Sequence, residues 1–123
     1  MIAYKLVRKA KDGNLYPLFI DKARPYVVGE QREAEFHPTK GFAPRFGFHC
    51  CFIPLAPHLK TELANGERRV WIECEVEDFT SYDRPESQGG AWILANRLMV
   101  TRELTMEEVA EILATSHRKE GVA

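Results

Sequence analysis

Alternation of apolar and polar residues opens the chain and predicts a β-hairpin. Ile2–Lys9 alternates, as a strand with one buried face does. Lys11–Asn14 contains an Asp-Gly pair, which tolerates the positive φ angles of a tight turn, and Leu15–Ile20 resumes the apolar pattern. We therefore expect two antiparallel strands joined by this turn.

The clearest strand pattern lies in Arg68–Asp78, which has a period of two residues. Its apolar face carries Val70, Ile72, Cys74 and Val76, and its polar face carries Arg69, Glu73, Glu75 and Glu77. Trp71 is the exception on the polar face, so we expect a loop or a helix to cover it. Cys74 is predicted to lie in the core.

Weaker patterns complete the predicted sheet. Further strands are expected at Pro25–Gly29, Phe46–Ile53 and Ala91–Val100, the last with an interruption at Asn96-Arg97. Polar or proline-containing stretches predict loops at His37–Pro44 and Phe79–Gly90, and a short helical turn at Leu55–Leu63.

One longer helix is predicted near the end of the sequence. Thr105 and Glu108 have the spacing of a capping box, and the helix is expected to run to about His117 and to stop by Gly121. Its apolar stripe consists of Met106, Val109, Ala110 and Leu113.

These elements predict one α+β domain over residues 1–123, a mostly antiparallel sheet of about five to seven strands with the C-terminal helix packed on it. The composition, 45% hydrophobic and 28% charged over 123 residues, is ordinary for one soluble domain. Apolar stretches are short, and Met1–Lys11 lacks the apolar segment of a signal peptide. With three cysteines, an odd number, these features predict a cytoplasmic protein with free thiols and no membrane partner.

Charge is unevenly distributed along the chain. Residues 1–59 carry nine basic and five acidic side chains, and residues 60–123 carry eight and thirteen. A basic face can bind nucleic acid, but such charges more often form a solvated surface. We expect the two halves to pair on folding, so nucleic acid is not a predicted partner.

The densest group of soft metal ligands is His49-Cys50-Cys51 with His58. Zinc sites use paired ligands such as Cys-x-x-Cys, which this chain lacks, and alternation along a strand turns Cys50 away from its two neighbours. No metal site is predicted. A thiol nucleophile assisted by His58 is one alternative, and an inert buried cysteine is the commoner one.

The segment Arg84–Trp92 contains the most distinctive candidate site. Its two glycines allow a ligand to approach backbone N–H groups. Glu86 is a candidate base or ribose ligand, Gln88 a hydrogen-bonding group and Trp92 a stacking surface. The same residues also suit a tight entry into a strand with Trp92 in the core.

A second candidate site lies in Thr39–His49. Lys40 and Arg45 are placed to bind a phosphate, and the three phenylalanines of the segment are available to stack on a base. The alternative is a loop fixed to the core by its aromatic rings.

Several runs of residues resemble a family of small proteins from gut bacteria and their phages. These runs are Gly47-Phe48-His49-Cys50, Pro54, Ala56-Pro57-His58-Leu59, Arg69-Val70-Trp71 and Arg84-Pro85-Glu86-Ser87-Gln88-Gly89-Gly90. The resemblance spans roughly residues 3–102. It implies a bacterial or phage cytoplasmic protein and brings no established activity with it.

More distantly, the order of three segments resembles the ADP-ribosyltransferase-like fold. The segments are Tyr4–Arg8, Gly47–Cys50, and Glu86 ahead of Trp92; the Ser-Thr-Ser motif, the early histidine and the Glu-x-Glu motif of that fold are missing. The resemblance implies attack at the nicotinamide–ribose bond of NAD. Glu86 would hold the ribose hydroxyl, Arg8 the pyrophosphate, and His49 would orient the ligand.

We therefore predict a domain that binds a nucleotide-like ligand, with NAD as the candidate cofactor. The predicted cleft is lined by Arg8, Lys40, Arg45, His49, Glu86, Gln88 and Trp92. Whether the protein is an enzyme stays open, and His49 and Glu86 are the catalytic pair if it is. The alternatives are a non-enzymatic module that binds a host protein, as a phage or mobile-element inhibitor does, and a weak nucleic-acid binder that uses the basic N-terminal half.

Overall fold

The hairpin at the start of the chain forms as its pattern predicts. The computed structural model describes residues 1–18, 24–33, 48–56 and 68–122, with helix side chains described as far as residue 115. Strand β1 (Ile2–Lys9) pairs with β2 (Leu15–Tyr16) across a turn in which Gly13 has a φ of 86°. Only glycine adopts this backbone angle without strain, which explains the Asp-Gly pair.

The other elements follow in chain order. They are β3 (Gln31–Glu33), β4 (Phe48–Cys51), β5 (Arg68–Asp83), a 3₁₀ turn (Glu86–Gln88), β6 (Ala91–Glu103) and helix α1 (Met106–Val122). The pairs between these strands are all antiparallel. The described residues therefore confirm an α+β fold dominated by an antiparallel sheet. No described helix is long and apolar enough to cross a membrane.

The sheet closes on itself. β1 pairs with β5, β5 with β6, β6 with β4, and β4 with β1, so these four strands form a ring. β2 adds to the β4 side of β1, and β3 adds to the β4 side of β6. The closing contact is narrow, because the register between β1 and β4 matches Tyr4 with Cys51 alone. A closed sheet has an inner and an outer face, and each carries a core.

The inner face holds the larger hydrophobic cluster, here called the inner core. Its buried members are Ala3, Val7, Leu15, Tyr26, Cys50, Ile72, Cys74, Val76, Ile93, Ala95, Leu98 and Val100. Lys5 alternates with Ala3 and Val7 on β1 and so faces the same side. Its Nζ donates a hydrogen bond to the His49 carbonyl at 2.9 Å, which places an ammonium group against β4.

The outer face carries the outer core, which lies beneath α1. Its buried members are Leu6, Cys51, Ala56, Trp71, Trp92 and Leu104, with Val109 and Ile112 of the helix among the partly buried residues packed against them. Trp71 is 8% exposed. The expectation that a loop or helix covers Trp71 is therefore confirmed, and Cys74 lies in the core as predicted.

The start of α1 forms the predicted capping box. The Glu108 amide donates to Thr105 Oγ1 at 3.1 Å, and the Thr105 amide donates to Glu108 Oε1 at 3.0 Å. Arg102 of β6 bonds to both Glu108 and Glu73, which ties this end of the helix to the sheet.

The predicted apolar stripe of the helix needs correction. Val109 packs against the outer core as predicted, but Met106 is 75% exposed, and Ile112, which is not in the predicted stripe, packs there as well. The helix also continues to Val122 and does not end near His117.

The strand β5 is longer than predicted. It continues to Asp83, so the expected loop is wrong over residues 79–83, where β5 pairs with the beginning of β6. These residues are mostly exposed and therefore show little apolar alternation. Their strand conformation comes from backbone pairing with β6.

A kink divides this β5–β6 ribbon. Asp78 has a φ of 51°, in the left-handed region, and its carboxylate accepts a hydrogen bond from Asn96 Nδ2 at 2.9 Å. On β6 the residues buried in the inner core stand at even-numbered positions on one side of the kink, Leu98 and Val100, and at odd-numbered positions on the other, Ile93 and Ala95. The strand β6 nevertheless continues through Asn96-Arg97, so the interruption predicted from the sequence is wrong.

Smaller differences affect the remaining predicted elements. Pro25–Gly29 is not a strand and contributes one bridge, from Tyr26 to Leu15. The strand that follows it, β3, is polar and is not predicted; it forms because its backbone pairs with β6. The predicted strand over Leu15–Ile20 ends at Tyr16 in the described part of the chain. The loop at 37–44 and most of the helical turn at 55–63 lie outside the described residues.

Candidate functional site

The turn between β5 and β6 is closed by its own backbone hydrogen bonds. The Gln88 and Gly90 amides both donate to the Pro85 carbonyl, at 2.8 and 3.2 Å, and the Gly89 amide donates to the Glu86 carbonyl at 3.0 Å. The two glycines have φ angles of 100° and 78°, which favour glycine. Their N–H groups are used within the turn, so the expectation that they face an anion is wrong.

Arg84 is held on two sides by this turn. Its Nε donates to Gln88 Oε1 at 2.9 Å, and its guanidinium carbon lies 4.5 Å from the centroid of the Trp92 ring. Trp92 is itself fixed, because its Nε1 donates to the Gln88 carbonyl at 2.7 Å and its side chain is buried in the outer core. No described residue accepts a hydrogen bond from the two Nη groups of Arg84. The turn therefore holds a guanidinium whose two terminal nitrogens bond to no described residue.

A histidine–tyrosine pair lies next to this arginine. Nδ1 of His49 is 2.6 Å from Oη of Tyr82, and the two rings meet edge to face with centroids 5.6 Å apart. The register places Cys51 and Tyr82 on either side of Trp92. These contacts bring six side chains together on the outer face, and we call them the Arg84 cluster: His49, Cys51, Tyr82, Arg84, Gln88 and Trp92.

Burial decides the chemistry of the thiols. It raises the pKa of Cys51 to about 12, assisted by Cys50, and the positive charges of Lys5 and Arg84 oppose this rise only in part. Burial also raises the pKa of Cys50 to about 11. Because the thiolate is the nucleophilic form, neither group is reactive near neutral pH. A thiol nucleophile is therefore disfavoured, and its expected partner His58 lies outside the described residues.

The sequence-predicted site residues are only partly brought together. His49, Gln88 and Trp92 belong to the Arg84 cluster. Glu86 lies on the adjoining 3₁₀ turn with an exposed side chain. Lys40 and Arg45 lie outside the described residues.

Arg8 lies farther from this cluster. It is four residues from Tyr4, the β1 partner of Cys51, and thus about 13 Å away along the strand. Its guanidinium carbon is 4.7 Å from the centroid of the Tyr16 ring. A ligand that touched both Arg8 and the cluster would have to be extended.

Three members of the cluster, Cys51, Tyr82 and Arg84, are not among the predicted site residues. Tyr82 falls in a segment with little strand signal. Arg84 precedes Trp92 by eight residues, and the two meet because the turn folds back. The consecutive glycines that close this turn are the signal from which that contact could have been predicted.

The described residues contain no group of three or more His, Cys, Asp or Glu side chains that could hold a metal ion. No protein-family model matches this chain, and no curated protein or solved structure matches it at a significant level.

Proposed function

We propose that the chain binds a small anionic ligand of the nucleotide type at the Arg84 cluster. The observation that carries this proposal is the guanidinium of Arg84, fixed by Gln88 and Trp92 while its Nη groups bond to no described residue. A planar guanidinium matches two oxygens of a phosphate or carboxylate. Because this side chain is ordered before the ligand arrives, binding costs little side-chain entropy.

The neighbouring groups suit the rest of such a ligand. The His49–Tyr82 pair adds an imidazole and a hydroxyl that can donate or accept hydrogen bonds. The exposed carboxylate of Glu86 can accept hydrogen bonds from sugar hydroxyls. Glu86 therefore offers a polar contact for the uncharged parts of an anion bound at Arg84.

The resemblance to the ADP-ribosyltransferase-like fold supplies a catalytic form of this proposal. Glu86 then holds the ribose hydroxyl of NAD and stabilises the oxocarbenium-like centre, while His49 orients the ligand. Arg84 takes the phosphate nearest to them. Arg8 reaches the second phosphate only if the ligand lies extended along β1.

A protein partner has less support among the described residues. Large exposed hydrophobic side chains occur in five segments, with at most two in each: Met1, Ile2, Val27, Val28, Phe52, Leu55, Phe79 and Met106. No single strand or helix presents a row of them, as an apolar docking surface would. The fixed guanidinium is the more specific feature, so we favour the ligand site.

Thermal unfolding with and without ligand tests the proposal. NAD, ADP-ribose, ATP and pyrophosphate are added to the wild-type protein, to Arg84→Lys and to Arg97→Lys. A ligand at a hundred times its dissociation constant stabilises the fold by about 2.7 kcal/mol, a rise in Tm of about 10 °C. Arg84→Lys keeps the charge and loses the two-pronged geometry, so the shift should fall for this variant. It should persist for Arg97→Lys, which changes a distant arginine in the same way.

Two outcomes would contradict the proposal. One is the absence of a shift with all four compounds, and the other is an equal shift in Arg84→Lys and the wild type. A Glu86→Ala variant separates binding from catalysis. If the catalytic form is correct, this variant still binds NAD but loses nicotinamide release.

A further inference from the structure

The strand β5 has an open edge beyond the kink at Asp78. On the side that faces β1, its pairing stops at Val76, which exchanges backbone hydrogen bonds with Met1 at 2.9 and 3.1 Å. No described strand continues along this side of residues 78–83. Apart from Tyr82, these residues are exposed. An edge of this kind can pair with a further strand.

The backbone groups that face the open edge follow from the turn at the end of β5. The Arg84 amide donates to the Gly90 carbonyl at 2.9 Å, so the backbone of Arg84 faces β6. The hydrogen-bonding groups of successive strand residues alternate between the two sides of the strand. The amides and carbonyls that face the open edge are therefore those of Phe79, Ser81 and Asp83.

We propose that this edge pairs with the same edge of a second copy of the chain, which forms a two-fold symmetric dimer. Such an axis brings one surface of the chain against the same surface of its copy. The open stretch from Asp78 to Arg84 has Ser81 at its centre, so antiparallel pairing about Ser81 uses its full length. The hydrogen-bonded pairs are then Ser81 with Ser81 of the second copy, and Phe79 with Asp83 of the second copy.

Charge at the two ends of the stretch favours this arrangement. Pairing about Ser81 sets Asp78 opposite Arg84 of the second copy, and the symmetry repeats this pair at the other end. Opposite charges across antiparallel strands stabilise the pairing. The Asp78 carboxylate accepts one described hydrogen bond, from Asn96, and the Nη groups of Arg84 bond to no described residue. Both groups can therefore form the intermolecular ion pair.

Neighbouring registers are less favourable. Residues that face the edge must pair with one another, so the second copy can shift only in steps of two residues. A step in one direction sets Glu77 opposite Asp83 of the second copy, and these like charges repel. A step in the other direction sets Phe79 opposite Pro85 of the second copy, which has no amide to donate. The edge is therefore complementary to itself in one register, whereas a strand from another protein need not place a cation opposite Asp78.

The dimer is expected to be weak. Pairing of one short strand should bury less than the roughly 1,000 Å² of a stable complex, so we expect a dissociation constant above about 1 μM. The dimer needs no ligand, so the inference goes beyond the proposed function and does not depend on it. An anion bound to Arg84 would compete with Asp78 of the second copy, a consequence that does rest on the proposed function.

Sedimentation velocity of the ligand-free chain at increasing concentrations tests the proposal. The sedimentation coefficient should rise with concentration toward that of a dimer. Ser81→Asp sets two carboxylates opposite each other on the axis and should abolish this rise. Thr115→Asp makes the same change of charge at an exposed position of α1 and should dimerise like the wild type.

A second pair of variants tests the ion pairs at the two ends. Asp78→Asn tolerates the left-handed backbone and removes the charge. It should raise the dissociation constant about fivefold, because two symmetry-related pairs are lost, each worth a factor of about two. Glu77→Gln removes the same charge from the neighbouring residue, which faces no cation of the second copy, and should not weaken the dimer.

Ser81→Cys reports the register directly. The Cα atoms of a hydrogen-bonded pair lie about 5.5 Å apart, within the range that a disulfide bridges, so oxidised glutathione should link two copies. The native cysteines are buried and should not link them.

Three outcomes would overturn the proposal. A chain that stays monomeric at every concentration would leave the edge to a strand of another protein. Dimerisation that survives Ser81→Asp, or a Ser81→Cys variant that forms no covalent dimer, would place the contact on another surface. Because none of these experiments contains a nucleotide, the dimer and the ligand site can each fail without the other.

Discussion

Replacing Trp71 by alanine tests whether the outer core is the surface that holds α1 on the sheet. Trp71 is 8% exposed and lies in one cluster with Leu104, Val109 and Ile112. Burial of about 200 Å² of a tryptophan side chain contributes about 5 kcal/mol at 25 cal/mol per Å². Because alanine retains a part of this, we expect Trp71→Ala to lower the free energy of unfolding by about 4 kcal/mol, within the range known for large-to-small core changes.

The assay is urea unfolding followed by far-ultraviolet circular dichroism. Met106→Ala is the control on the same helix, because Met106 is 75% exposed and its loss should change the free energy of unfolding by at most about 0.5 kcal/mol. A cost below about 1 kcal/mol for Trp71→Ala would refute the reasoning, since a core residue of this size cannot be removed so cheaply. A cost for Met106→Ala as large as that for Trp71→Ala would show that the helix presents a different face.

Two further predictions concern a buried thiol and the kink in β5. Burial raises the pKa of Cys50 to about 11, which is above the pKa of the same thiol in the unfolded chain. The protonated thiol therefore contributes its full stabilisation below the unfolded pKa, and this stabilisation is lost as the pH rises through the folded pKa. Its share of the loss between pH 9 and pH 11 is about 2 kcal/mol, and Cys50→Ala should flatten the pH dependence of unfolding accordingly; an unchanged slope would contradict this. At the kink, Asp78→Gly should unfold at nearly the wild-type urea concentration, because relief of the left-handed backbone, worth about 1 kcal/mol, offsets the lost bond to Asn96. Asp78→Ala loses the bond and keeps the strain, so it should be less stable by about 1 kcal/mol, and equal stability of the two variants would argue against strain at this position.

The parts of the fold that could be predicted are those in which one face of a strand is buried. Ile2–Lys9 and Arg68–Asp78 show this in their alternation, because each strand has an apolar side in contact with a core. Phe79–Asp83 and the strand Gln31–Glu33 could not be predicted in this way. Their side chains are mostly exposed, and they are strands because their backbones pair with β6. Such pairing depends on a distant segment and leaves little local signal.

Closure of the sheet was beyond sequence reasoning for a related reason. Alternation places Lys5 on the same face as Ala3 and Val7, but it does not show that this face is the inside of a ring. That fact depends on β4, which pairs with β1 on one side and with β6 on the other.

The candidate site divides in the same way. Gln88 and Trp92 are predicted because a glycine-rich turn next to an aromatic residue is a recognisable pattern. Arg84 and Tyr82 are not, since their contacts with Trp92 and His49 arise from strand register and from the path of the turn. Residue type therefore predicts which side chains can bind a ligand, and long-range pairing determines which of them meet.

The pairing of β1 with β5 has a consequence for synthesis of the chain on the ribosome. Ile2–Lys9 finds its eight cross-strand partners in Arg68–Glu75, with about 60 residues between the two segments. At 5–20 residues per second, a ribosome needs roughly 3–12 s to make that stretch. During this time the described partners of the first strand are the short strand β2 and the single pairing of Tyr4 with Cys51 of β4. An apolar strand is thus exposed for seconds on every nascent chain, in the period when unpaired edges are most prone to aggregate. Slower translation before residue 68 should therefore lower the yield of folded protein more than slower translation after residue 103.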